Sequence, residues 1–194
     1  MIFLDESGAK TNLTRLRGRP PKGQRVHGHS PQGHWNTTTI LGSIRLDGSS
    51  LCMAAEGAAD TEVFQAYVRR VLCPKLRPGD IVVLDNLSLH KSQPTLELIR
   101  QAGAQILFLP AYSPDLNPIE KMWSKVKNYL RSAEARTEAA LIQGIAAALQ
   151  TIHTHVGSWK EIRRPNVERF SAVPSPVSSF WIWNARFTDS VLTV

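Results

Sequence analysis

The chain has 194 residues, 42% of them hydrophobic, and a formal net charge of +7. That length holds one domain with a real core plus an appendage, and the positive balance points to a polyanionic partner without separating DNA from RNA or a membrane surface. No apolar run reaches membrane-spanning length, no signal-peptide pattern opens the chain, and Cys52 and Cys73 belong to no metal-ligand cluster, so free thiols in a reducing, cytoplasmic setting are expected.

Ile2-Phe3-Leu4 is a short apolar run ending on Asp5, and residues 1–6 read as the first strand. From Ser7 to Leu46 there is no acidic residue. Residues 7–34 read as a basic loop insertion broken by glycines and prolines, and Arg15, Arg17, Arg19, Lys22 and Arg25 are its candidate DNA-phosphate contacts. A solvated charge run is the alternative. His27, His29 and His34 lack the cysteines and the regular spacing of a zinc site.

Trp35–Leu46 reads as a Thr- and Ile-rich strand, Asp47-Gly48 as a hairpin turn and Leu51–Ala55 as the returning strand. A helix is expected from Asp60, with Phe64, Tyr67, Val68, Val71 and Leu72 inward. Ile81–Leu84 is β-branched and uninterrupted, as a strand buried on both faces would be. It ends on Asp85, at the edge where open α/β sheets place their ligands. Lys91–Ala102 reads as a helix with Pro94 in its first turn, and Gln105–Leu109 as a strand.

A Pro-rich loop then feeds a helix for which Asn117 suits the cap, Pro118 the first position and Glu120 the third. Ile119, Met122, Trp123, Val126, Tyr129 and Leu130 recur at helical spacing and are expected to face the core. Glu120, Ser124, Lys127 and Arg131 form a second row flanked by Lys121 and Lys125. This basic stripe suits either DNA phosphates or solvent. Thr137–His153 reads as the last helix. Residues 154–194 change texture and are expected to be an irregular tail, from read-through or fusion.

Three acids therefore stand out: two end apolar strands and one opens a helix. If the two strands are neighbours, Asp5 and Asp85 lie about 4.8 Å apart at their ends. With Glu120, they could then share hard cations such as Mg²⁺. Taken singly, each acid also suits a turn or a capping box.

The segments Phe3-Leu4-Asp5-Glu6-Ser7-Gly8, Leu84-Asp85-Asn86 with His90-Lys91, and Pro110-Ala111-Tyr112-Ser113-Pro114-Asp115-Leu116-Asn117-Pro118-Ile119-Glu120 resemble the catalytic half of mariner-like DDE transposases, in particular the bacterial insertion-sequence branch. The resemblance covers roughly residues 2–150, and the 34 residues between Asp85 and Glu120 match the family spacing. It implies an α/β, ribonuclease-H-like fold with a mixed five-stranded sheet flanked by helices, here over residues 1–153. It also implies catalytic and metal-ligating roles for Asp5, Asp85 and Glu120, two Mg²⁺ or Mn²⁺ ions, and DNA strand cleavage and transfer by phosphoryl transfer.

Asn86, His90, Lys91 and Asn117 are expected near the site, orienting carboxylates or touching the scissile phosphate. The implied partners are transposon ends, target DNA and a second copy of the chain, in a bacterial cytoplasm and at the nucleoid. Because Met1 directly precedes the first catalytic strand, the helix-turn-helix half of such proteins is expected from a separate protein or a frameshift fusion. The rival readings are an idle transposase remnant that only binds DNA non-specifically and another ribonuclease-H-like nuclease.

Overall fold

Alternation of side chains along the strands sets the architecture. In the computed structural model, which describes residues 1–29, 31–32, 35–152, 180–184 and 192–193, β1 (Ile2–Lys10) lies inside one mixed sheet. β2 (Thr37–Arg45) pairs antiparallel with β1, and β3 (Ser50–Glu56) antiparallel with β2 through the expected Asp47-Gly48 turn. β4 (Ile81–Leu84) lies parallel to β1 on its other side, with β5 (Gln105–Phe108) parallel beyond it. The central order is thus β5-β4-β1-β2-β3, the five expected strands.

Two apolar layers follow from the period of two. Phe3, Ile40, Val83 and Leu107 project to one face, where they meet α3 (Ile119–Ala133) and α4 (Glu138–Ile152). Ile2, Leu4, Leu41, Val82, Leu84 and Ile106 project to the other, against α1 (Thr61–Tyr67) and α2 (Gln93–Gln101). Asp60 caps α1, accepting from the backbone N–H groups of Glu62 and Val63 at 2.9 and 2.8 Å. Cys52 is a buried free thiol and Cys73 a half-buried one.

Several details differ from expectation. β1 runs to Lys10 rather than ending near residue 6, because its pairing with β2 continues to Lys10↔Thr37, so the basic loop begins at Thr11. α3 begins one residue late, and Asn117 does not cap it with its side chain. Tyr129, expected in the core, is 38% exposed at the margin of the packed stripe. In the tail, β6 (Phe180–Asn184) pairs antiparallel with the free edge of β3, and β7 (Leu192–Thr193) pairs with β6. The aromatic run Phe180-Trp181-Ile182-Trp183 has strong strand propensity, and the edge of β3 offers unpaired backbone groups. His34 and most of the tail lie outside the described residues. Among the described residues, no helix is long and apolar enough to cross a membrane.

Candidate active site

β1 and β4 are parallel neighbours with Phe3 opposite Val83; two residues further along each chain, Asp5 comes level with Asp85. Both acids therefore stand at the same level on neighbouring strands, Asp5 within β1 and Asp85 just past the end of β4. Glu120, in the first turn of α3, completes one wall of a cavity of about 460 Å³ that Asp5 and Asp85 also line, together with Asn86, Asn117 and the loop from Leu109 to Pro114.

Asp5 is the most constrained of the three. It is buried, and its carboxyl is pushed up to about 7 by burial and by the neighbouring carboxylates of Glu6 and Glu120, against a lowering hydrogen bond from the Glu6 backbone. Its Oδ2 accepts from the Trp123 indole N–H at 3.3 Å and from Asn117 Nδ2 at 3.5 Å. Trp123 is thus more than the core residue its spacing suggests. Its ring reaches Asp5 across Gly42, the β2 residue paired with Asp5: a Cβ at Gly42 would lie 2.6 Å from the far edge of the indole. Glycine is needed there for close approach. Asn117 is free to face Asp5 because it leaves the cap of α3 to its own backbone, whose carbonyl accepts from Glu120 N at 3.2 Å.

Asp85 is held from the opposite side of β1. His90 is fully buried in a short 3₁₀ turn, with Nδ1 2.6 Å from Asp85 Oδ1 and Nε2 2.7 Å from Glu6 Oε2. Its ring stacks at a tilt against Phe64, 4.6 Å between centroids. Burial alone would depress its basicity, but the two carboxylates outweigh it and raise the pKa to about 9. The charged imidazolium then donates to both acids, and this hydrogen bond holds Asp85 below its ordinary range. With both nitrogens engaged, His90 orients Asp85 and has no ring nitrogen left for a phosphate. Glu6 completes this clamp and did not stand out in the sequence. The signal available was an acid inside a strand, one residue after Asp5 and so facing the other side of the sheet.

The other expected residues divide. Asn86 lines the cavity and its amide donates to the Leu109 carbonyl, tying the end of β4 to the end of β5. Lys91 lies 5.9 Å over the Phe108 ring and acts on Asp85 only through its charge. In the basic loop, Arg15, Arg17, Arg19, Lys22 and Arg25 are all exposed. Arg15 and Arg17 meet Arg131 of α3 around a second cavity of about 590 Å³. Arg136 anchors the start of that loop by donating to the carbonyls of Thr11 and Leu13 at 3.1 and 2.8 Å. Lys121 and Lys125 are exposed and Lys127 half-exposed along α3.

Among the described residues, no three His, Cys, Asp or Glu side chains lie close enough to hold one ion as they stand. The donor chemistry nevertheless suits a hard cation. It comprises three carboxylates, one with its pKa raised by burial first and by like charge second, and the Asn117 Oδ1, which is buried with no hydrogen-bond partner.

A mixed sheet with helices on both faces, one acid within its central strand β1 and another level with it just past the end of the parallel neighbour β4, defines the ribonuclease-H-like class. Residues 1–142 match the model of the DDE superfamily endonucleases, and the chain belongs to that family. It is 37% identical over 70 residues to the Tc3 transposase of Caenorhabditis elegans, a match covering 35% of this chain and 21% of that protein. It is 39% identical over 51 residues to the Tcb2 transposase of Caenorhabditis briggsae, covering 26% and 19%. The fold is similar to a chain in the Mos1 strand transfer complex, with a TM-score of 0.56 at 16% identity, covering 83% of this chain and 52% of that one. The chain therefore matches about half the length of its structural relative and about a fifth of these two curated ones.

Proposed function

We propose that the chain is the catalytic domain of a DNA transposase, cleaving and joining DNA strands by divalent-metal-dependent phosphoryl transfer. The observation that carries the reading is the convergence of Asp5, Asp85 and Glu120 on one cavity, from two parallel strands and a helix start. Asp5 and Asp85 would hold Mg²⁺ or Mn²⁺, with Glu120 as third ligand or proton acceptor. Two such ions, when bound, supply activation of the attacking oxygen and stabilisation of the leaving one. The chain's own part is orientation. His90 and Glu6 fix Asp85, while Trp123 and Asn117 fix Asp5.

DNA ends and target DNA would lie along the basic surface, held by the loop arginines and by Lys121, Lys125, Lys127 and Arg131. A homodimer on DNA, and end recognition by a separate or fused helix-turn-helix half, belong to the same reading. Phosphate contacts of this kind position DNA without reading its sequence.

The test is nicking of terminal-repeat DNA by the purified chain in Mg²⁺ or Mn²⁺. Metal-dependent cleavage that disappears on chelation is expected, and no cleavage under either metal would overturn the proposal. Binding gives a second measure: Arg15→Ala with Arg17→Ala and Arg131→Ala should flatten the slope of log affinity against log salt by roughly 0.9 per lost contact. An unchanged slope would leave these arginines as solvated charges.

A further inference from the structure

Tyr112 has no part in the catalytic reading above, and its conformation needs a reason. The residue is fully exposed, as open to solvent as an aromatic can be. Its backbone nevertheless sits at φ 56°, in the left-handed region where an L side chain crowds the next carbonyl. The loop around it is firmly built. Pro110 and Pro114 bracket it, Ser113 Oγ donates to the Ala111 carbonyl at 3.3 Å, and the backbone N–H groups of Leu116 and Asn117 close back onto Ser113 and Pro114 at 3.1 and 2.9 Å. A glycine would relieve the backbone, and burial offers no compensation to a tyrosine. Strain kept at an exposed aromatic on the wall of a reactive cavity suggests a role outside the fold. The cavity is the one lined by Asp5, Asp85 and Glu120.

Resting on the proposed function, we infer that Tyr112 is a stacking platform for the nucleobase beside the scissile phosphate. A phosphodiester drawn to the carboxylates brings its flanking base to the rim of the same cavity, where Tyr112 presents an open ring. Base–aromatic stacking tolerates any base, which suits a residue that positions a strand without selecting its sequence. A tyrosine also offers a large rigid face with few rotamers to freeze.

The experiment crosses a protein change with a DNA change. Affinity is measured by fluorescence anisotropy on a pre-cleaved terminal-repeat duplex and on the same duplex made abasic at its terminal nucleotide. Tyr112→Ala should weaken binding to the intact duplex roughly tenfold and leave binding to the abasic duplex unchanged. Tyr112→Phe should retain the wild-type difference between the two duplexes. Tyr112→Gly should lose it while melting no lower than wild type, which separates stacking from folding. An equal loss on both duplexes, as a contact with the DNA backbone or a second copy of the chain would give, overturns the inference. So does no loss on the intact duplex. Failure of the proposed function shows separately, as absence of metal-dependent nicking by the wild-type chain.

Discussion

β4 is four residues long with an aspartate at each end, and the two ends solve the same electrostatic problem in opposite ways. Before the strand, Asp80 meets Arg45 in a bidentate pair at 2.7 and 2.6 Å and accepts from the Arg77 backbone at 2.8 Å. That pairing with Arg45 holds the carboxyl below its ordinary value. After the strand, Asp85 shares the buried His90 with Glu6, while burial, with the nearby charges of Glu6 and Glu120, raises the pKa of Asp5 to about 7. One end carries its own guanidinium. The other gathers more carboxylates than its single imidazolium neutralises, so on the proposed function its remaining countercharge comes from bound cations. The comparison separates an aspartate that stabilises the fold from one, Asp5, that the fold buries beside like charge at its own cost.

The sharpest way to break that comparison is neutralisation at the second end. Asp85→Asn, Asp5→Asn and Glu120→Gln should each cut metal-dependent cleavage by about a thousandfold or more, and the double variants should lose little beyond the singles, since the groups act as one unit. Near-normal nicking by any single variant would remove that residue from the site.

Gly42→Ala tests the support beneath Asp5. The added Cβ would press on the Trp123 ring at 2.6 Å and on Cys52 Sγ at 3.1 Å. Overpacking of this kind costs about 2–3 kcal/mol. Denaturant melts should show that loss, with cleavage falling further than stability explains because the indole no longer reaches Asp5. A variant that melts like wild type would show that the ring has room to move.

At the first end, Arg45→Ala should cost about 2 kcal/mol at pH 7 and leave the chemistry intact. Because the folded-state pKa of Asp80 is depressed, this contribution is present above the ordinary carboxyl value of 3.8 and lost as pH falls through the folded value. Wild type and variant should therefore converge in acid. A gap that persists at low pH would trace to packing of the Arg45 side chain rather than to its charge.

The last effect has the opposite sign. The raised carboxyl of Asp5 gives stability that is complete below 3.8 and lost as pH rises through about 7. At pH 8 in chelator, Asp5→Asn should be more stable than wild type, the difference vanishing near pH 4. Equal thermal melts at pH 8 would mean that the protein relaxes enough to hydrate the carboxylate.

Much of this was legible along the chain. The apolar runs ending on Asp5 and Asp85, the Asp47-Gly48 turn and the helix opening beside Glu120 all depend on neighbours close in sequence, through strand alternation, turn preference and helical periodicity, whereas the order of the five central strands came only with the family resemblance. The motif around Ser113–Glu120 supplied the family resemblance that assembled those pieces into one fold. Tertiary structure decided how the site is held. His90 reaches Glu6 across 84 positions, and Trp123 reaches Asp5 across 118. Asn117 looks like a helix cap until the fold turns its amide toward Asp5, and Tyr112 looks like one more turn residue until its left-handed backbone and open ring are seen at the cavity wall. Sequence pattern records which face a residue presents, whereas the partner it meets there depends on which distant elements pack against that face.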